Sequence, residues 1–303
     1  MNISPTPAPD QQAQARSLAA KAKARLRRLG TFSVLPFALI LLLFVVVAFL
    51  PGLFTKHDPT LIELSLRLKA PGFVGPDGST YLLGTDELGR DVFSRLIHGA
   101  RVSLVVSVTA VFISGFVGGF LGMLSGYYRN WVSALIMRVA DILMSIPFLL
   151  LAILTVAVLG PNLLNLIIVL GLTRWPRYAR VAQSTTLSTV NKDFVKATAA
   201  LGARPGRLLI KHIMPELIPP LVVVATLEIG LMILFEASLS FIGLGVQPPN
   251  PSWGNMLSAG RQYVSTAWWL ATFPGLAIFL IVLSINMIGD AVRDRLDPKN
   301  QRR

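Results

Sequence analysis

The sequence predicts an all-α polytopic membrane protein with six transmembrane helices. Composition is the first observation behind that prediction: 53% of the residues are hydrophobic, 14% are charged and mean hydropathy is +0.63, beyond what a soluble domain shows. The second is a series of apolar runs near the roughly 20 residues that a helix needs to cross a bilayer. The third is where the charge sits. The net +13 comes from basic residues gathered between particular runs, which a one-sided membrane topology explains more simply than nucleic-acid binding does. With no cysteine in the chain, disulfides, thiol catalysis and cysteine-ligated metals are excluded.

Taken in order, residues 1–30 are a cytosolic basic tail, prolines first and then Arg16, Lys21, Lys23, Arg25, Arg27 and Arg28, in reach of anionic lipid. Residues 31–98 hold the first transmembrane helix and an external loop. The apolar run 32–50 ends Phe49-Leu50-Pro51-Gly52 without a small-x-small cleavage site, so it reads as a retained span rather than a secretory signal. Pro59, Pro71, Gly72, Gly75, Pro76 and Gly78 then mark turns. Residues 83–104 read LGTDELGRDVFSRLIHGARVSL, in which Asp86, Arg90, Asp91 and Arg95 are near enough to form a local charge network that fixes the loop.

Residues 99–291 form the transmembrane core. The second span, 102–124, carries Gly115, Gly118, Gly119 and Gly122, with Gly126 just beyond, a small-residue stripe suited to close helix packing in lipid. The third, 133–159, contains Arg138 and Asp141 at i, i+3 and Pro147, a kink position. A charge inside a span must be neutralised, so Arg138 and Asp141 are expected to pair with each other or with a neighbour. Gly160-Pro161-Asn162 turns into a fourth span that begins at 163–172 and runs into Arg174, Arg177 and Arg180, a cluster expected in the cytosol. Span five, 217–242, embeds Glu228 and Glu236, and Pro248-Pro249-Asn250-Pro251 follows as an ordered external loop. Trp253, Trp268 and Trp269 fall at interfacial depth. Span six, 270–288, leads to a cytosolic C-terminal tail, 292–303. With both termini in the cytosol, most of the 28 basic residues lie on that side.

The polar interlude 191–215 stands apart. Phe194, Ala197, Thr198 and Leu201 repeat at the i, i+3, i+4, i+7 spacing of one helix face, among Asn191, Lys192, Asp193 and Lys196. Gly202 follows where a helix commonly ends in the left-handed conformation, and Arg204-Pro205-Gly206 forces a turn. Leu208, Leu209 and Ile213 make a second apolar stripe, Arg204, Arg207 and Lys211 a basic one, and Pro215 closes the unit. A helical elbow results.

Several of these segments resemble one family. The alanine-rich turn, with Gly202 four residues after Thr198 and Pro215 thirteen beyond that, looks like the "EAA" cytoplasmic loop of binding-protein-dependent ABC importer permeases. Lys196 stands where the motif has glutamate, and Thr198 where it has its second alanine. Residues 84–95 match the GTDxLGRDxxSR segment of the dipeptide/oligopeptide/nickel permeases, as does EASLSFIGLGVQPPNPSWGNML at 236–257, and the chain's end resembles their GDxxRDxLDP. The resemblance implies the type I ABC importer permease fold and the C-type, six-span subunit of dipeptide importers in a bacterial inner membrane. It implies a second permease subunit, one or two ATP-binding subunits that carry the ATP and Mg, an extracytoplasmic solute-binding protein, and no cofactor on this chain. Lys196, Ala197, Thr198, Gly202, Arg204, Pro205, Arg207, His212 and Pro215 would then couple to the ATP-binding subunit. Dipeptides or short oligopeptides are the implied cargo, with nickel, glutathione or opines as alternatives.

The chain has no GxxxxGK[ST], GxSxG or HExxH, and His57, His98 and His212 are far apart, so no self-contained ATPase, hydrolase or zinc enzyme is supported. A second class stays open from the residues alone: an ion-coupled secondary transporter using Glu228, Glu236 or Asp141.

Overall fold

The computed structural model describes residues 34–296, so the basic tail at 1–30 and the end of the predicted C-terminal tail, including Pro298, lie outside the described residues. In chain order the α-helices are α1 (Val34–Phe49), α2 (Val92–Tyr128), α3 (Trp131–Ser145), α4 (Phe148–Leu159), α5 (Leu163–Val190), α6 (Asp193–Ala200), α7 (Pro205–Leu208), α8 (Met214–Phe241), α9 (Trp253–Gly260) and α10 (Trp269–Leu296). A π-helical turn, Leu209–Ile213, joins α7 to α8. The six predicted apolar runs fall on α1, α2, the α3–α4 pair, α5, α8 and α10. Among the described residues, three helices are long and apolar enough by themselves to cross a membrane: α2, α10, and α8 taken together with the turns from Pro205. Phe112, Phe116 and Phe120 line one exposed face of α2, a stripe that needs lipid or a protein partner rather than water.

Helices α2 and α5 form the spine. Cβ atoms at Gly118 and Gly122 would lie 2.3 Å and 2.2 Å from the carbonyl oxygens of Trp175 and Ala179, so only glycine lets α5 come this close. The Ser114 hydroxyl adds a buried hydrogen bond to the Gly171 carbonyl at 2.7 Å. The packing role predicted for the glycine stripe is thus met.

Span three is broken rather than kinked. Helices α3 and α4 meet at 94° because a residue before proline is pushed out of the helical region, and Ile146 sits at φ −92°, ψ 129°. Span four is longer than the apolar run predicts: α5 continues through Arg174, Arg177, Arg180 and Pro176 to Val190. Pro215 does not stop the elbow either: it sits in the first turn of α8, and the helix runs on through it from a π-helical turn whose Met214 N–H bonds the Leu209 carbonyl. The region boundaries at 98/99 and 291/292 both fall inside helices, α2 and α10.

Between α1 and α2 a small cap folds on the bundle. A two-stranded hairpin, β1 (Phe73–Val74) with β2 (Thr80–Tyr81), precedes the charge network. Arg90 Nε donates to Asp86 at 2.7 Å and its Nη2 to Glu87 at 3.1 Å, while Arg95 Nε approaches Asp86 at 3.4 Å. Asp91 stands outside that network; it caps α2, accepting from the Ser94 backbone at 2.9 Å and the Ser94 hydroxyl at 2.6 Å. Of the three tryptophans expected at interfacial depth, two are packed inside the protein. Trp253 is fully buried with its Nε1 donating to the Leu96 carbonyl at 2.9 Å, and Trp269 is buried and reaches the Thr85 carbonyl at 3.3 Å; Trp268 alone is exposed. Their indole N–H groups have backbone partners, Trp253 in the first turns of α2 and Trp269 in the cap, which satisfies the polar edge of each buried ring.

Candidate functional site

Two places gather the residues that the sequence singled out: the elbow and the middle of α8. In the elbow, Gly202 adopts a φ of +85° and its backbone N–H reaches the Ala199 carbonyl at 2.9 Å, ending α6 as the glycine signal predicts. Arg204 then precedes Pro205 at the first position of α7. Leu208, Leu209 and Ile213 are buried, the last two in a cluster with Met123, Ala182 and Leu217, so the second half of the elbow is anchored to the bundle.

The first half is not. Of α6 only Val195 is buried; Phe194 and Leu201, members of the predicted apolar face, are 44% and 89% exposed. Lys196, Ala197, Arg204, Pro205 and Arg207 share that exposed surface, with Pro215 exposed beyond them and Thr198 and His212 partly covered. Among the described residues Lys196 makes no ion pair. Lys192 Nζ binds Glu216 at 2.6 Å, tying the start of α6 to α8. The outcome is a turn anchored through its second half, whose apolar residues Phe194 and Leu201 stay largely exposed, Phe194 lying beside only the His212 ring at 6.2 Å and Lys192 Nζ at 5.9 Å among the described ring contacts.

Glu228 and Glu236 sit two turns apart on α8, both buried, with different partners. Arg174 grips Glu228 in a fork, Nε to Oε2 at 3.1 Å and Nη2 to Oε1 at 3.0 Å, and Arg177 Nη1 reaches Oε1 at 2.6 Å. The Arg174 guanidinium also lies 5.8 Å from the Phe148 ring and 5.4 Å from the Phe235 ring. Glu236 meets hydroxyls: Ser103 of α2 and Ser240 each donate to it at 2.8 Å. Arg174 and Glu228 are near the midpoints of their helices, about 16 Å from Leu163 and about 20 Å from Phe241 at roughly 1.5 Å per residue. A carboxylate as buried as Glu228 is costly unless a cation meets it, and the two arginines of α5 supply that partner.

Of the charges expected to be neutralised in span three, Asp141 takes the neighbour: it binds Arg180, both side chains about half exposed, while Arg138 is exposed with no ion-pair partner among the described residues. Sequence reasoning missed the arginines as partners of Glu228. A partial signal was present: a carboxylate in an apolar run demands a cation, and Arg174, Arg177 and Arg180 directly continue the apolar run at 163–172.

Beside Arg174 and Arg177 lies a cavity of about 390 Å³ opened by the α3–α4 break, with Ser145, Pro147, Phe148 and Thr173 on its wall. Its size falls within the roughly 300–1,000 Å³ typical of small-molecule sites.

The chain resembles known proteins along most of its length. The profile of the family described as "Binding-protein-dependent transport system inner membrane component" matches residues 118–302. The chain is 44% identical over 261 residues to the di/tripeptide transport system permease protein DppC of Pseudomonas aeruginosa (strain UCBPP-PA14), covering 86% of each chain. It is 44% identical over 216 residues to the glutathione transport system permease protein GsiD of Escherichia coli O6:K15:H31, covering 71% of each. Among solved structures, an inward-facing conformation of the MetNI methionine ABC transporter matches 67% of this chain and 96% of that one, with a TM-score of 0.51 at 22% identity, a likeness of fold.

Proposed function

Because the chain belongs to the binding-protein-dependent transport system inner membrane component family, a family of multi-pass permease subunits, we propose that it carries dipeptides or short oligopeptides inward by alternating access. What supports the peptide cargo is the likeness to the di/tripeptide permease over 86% of both chains. ATP and Mg belong to one or two separate ATP-binding subunits, a second permease subunit completes the pathway, and an extracytoplasmic solute-binding protein delivers the cargo. Both termini and the elbow face the cytosol in this reading, and the loops after α1 and α8 face outward, as the basic-residue bias supports. Family membership also removes the reason for the ion-coupled alternative, and the ion pairs that Glu228 and Asp141 make leave neither as a free coupling carboxylate.

The elbow is the coupling element. Phe194, Ala197 and Leu201 offer an exposed apolar ridge, Arg204 and Arg207 a basic flank, and Leu208, Leu209 and Ile213 a buried root that passes motion directly into α8. Lys196, in place of the motif's glutamate, meets solvent or an acidic residue of the ATP-binding subunit. In Gly202→Val the branched side chain must adopt a positive φ; no atom lies within 4 Å of a Cβ there, so the effect is local backbone strain of about 1–2 kcal/mol. The variant is expected to assemble yet lose substrate-stimulated ATP hydrolysis; normal ATP-driven transport would refute the docking role. For cargo, deleting the gene should abolish growth on a dipeptide as sole source of a required amino acid. Retained dipeptide growth with lost glutathione uptake would move the assignment to the reading that the glutathione permease supports.

A further inference from the structure

The cavity at the α3–α4 break is unevenly charged. Arg174 spends its fork on Glu228 and is wedged against Phe148 and Phe235. Arg177 touches the same carboxylate through Nη1 alone, makes no other hydrogen bond among the described residues, and its side chain is 54% exposed. Nearby, Arg180 and Asp141 neutralise each other. Two guanidinium groups therefore share one carboxylate near the middle of the bundle, leaving one positive charge that no side chain among the described residues balances. The start of α4, Pro147 and Phe148, opens on the same cavity and adds the partial positive charge of a helix N-terminus. Ser145 and Thr173 give it a polar wall. A closed structural ion pair would be matched one to one and covered; this one is mismatched and open on one side.

We infer that this cavity is a station on the permeation path that receives the C-terminal carboxylate of the peptide, with Arg177 as the group that meets it. Arg174 and Glu228 are positioning residues: the fork holds Glu228, and Glu228 aims Arg177 across the cavity. A second forked contact from the free Nε and Nη2 of Arg177 is the geometry that a carboxylate takes best. The inference rests on the peptide-importer reading, and the two fail differently.

The absence of cysteine from this chain makes the test clean. Ser145→Cys places one thiol on the cavity wall of this subunit, in the full complex held in nanodiscs. Modification by anionic sulfonatoethyl and cationic trimethylammonioethyl methanethiosulfonate is followed by mass spectrometry, each rate normalised to that reagent's rate with a free small-molecule thiol. The anionic reagent should react on the order of tenfold faster. Adding Arg177→Gln should erase the bias while leaving Arg174 and Glu228 as a neutral pair, and Arg177→Lys should retain it. A saturating dipeptide should slow the reaction, and its C-terminal amide should not. Equal normalised rates with and without Arg177, or equal protection by acid and amide, would overturn the inference. A bias that depends on Arg177 but that no peptide blocks would leave an anion site and overturn its assignment to the peptide carboxylate, while the cargo reading itself falls only if the gene deletion leaves dipeptide-dependent growth intact.

Discussion

Glu228 and Glu236 are the same residue on the same helix, both buried, yet one is set among cations at an open cavity and the other among hydroxyls in a closed wall. The difference teaches that the partner set defines a buried carboxylate's job. At Glu228 the charge is the point: it is what lets α5 keep two arginines at mid-bundle. At Glu236 the oxygen atoms are the point. They accept from Ser103 and Ser240, whose hydroxyl accepts in turn from the Val246 backbone at 3.2 Å, so the group staples α2, α8 and the loop after α8 together.

Removing each carboxylate should break this symmetry openly. Glu228→Ala strands two guanidinium groups, and breaking a buried pair by deleting one partner costs about 3–5 kcal/mol, more than the loss of either Glu236 or Asp141 should cost. The expected result is a large drop in assembled, membrane-inserted permease and in the melting temperature of whatever is purified. Glu228→Ala with Arg174→Met and Arg177→Gln, which removes both stranded charges, should recover much of it. A single variant as stable as the parent would mean that the pair is not held closed in the assembled complex.

Glu236→Gln sharpens the contrast from the other side. Its side-chain oxygen still accepts from a serine while the amide faces the second hydroxyl, which turns to accept, so the loss is about 1 kcal/mol. Melting temperature should fall by a few degrees and assembly should be kept. If Glu236→Gln proved as damaging as Glu228→Ala, the charge of Glu236 would matter as much as its oxygens, and the two sites would be alike.

How much of the fold and the site is legible in the sequence follows the range of the forces involved. Local signals succeeded. The apolar runs located α2, α8 and α10, the glycine stripe announced a close helix contact on α2 without naming its partner, and Gly202 foretold a left-handed turn, because each depends on residues within a few positions. Long-range pairings did not show. A chain read locally ends span four at Arg174; only Glu228, 54 positions away, allows the helix to continue. The burial of Trp253 depends likewise on the Leu96 carbonyl of α2, 157 positions away, which takes its N–H. The 94° break at Pro147 was half legible: proline predicts a bend, but its size depends on what fills the corner, here a cavity bordered by the arginines.

Asp141 supplies a third point on the comparison, with the smallest effect. It carries the same unit charge as Glu228 and also binds an arginine, Arg180, yet both side chains are about half exposed and the contact joins only the surfaces of α3 and α5. Where water reaches both partners the Coulomb gain is screened and the two side chains lose rotamer freedom, so such a pair contributes about 0–1 kcal/mol. Asp141→Asn should therefore shift the melting temperature of the assembled complex by no more than a degree or two, less than Glu236→Gln and far less than Glu228→Ala. Raising salt should shrink even that difference, because exposed pairs are screened and buried ones are not. A loss comparable to Glu228→Ala, insensitive to salt, would show that this surface of α3 is covered in the complex, and the second permease subunit would then be the natural cover to probe by cross-linking from Asp141→Cys.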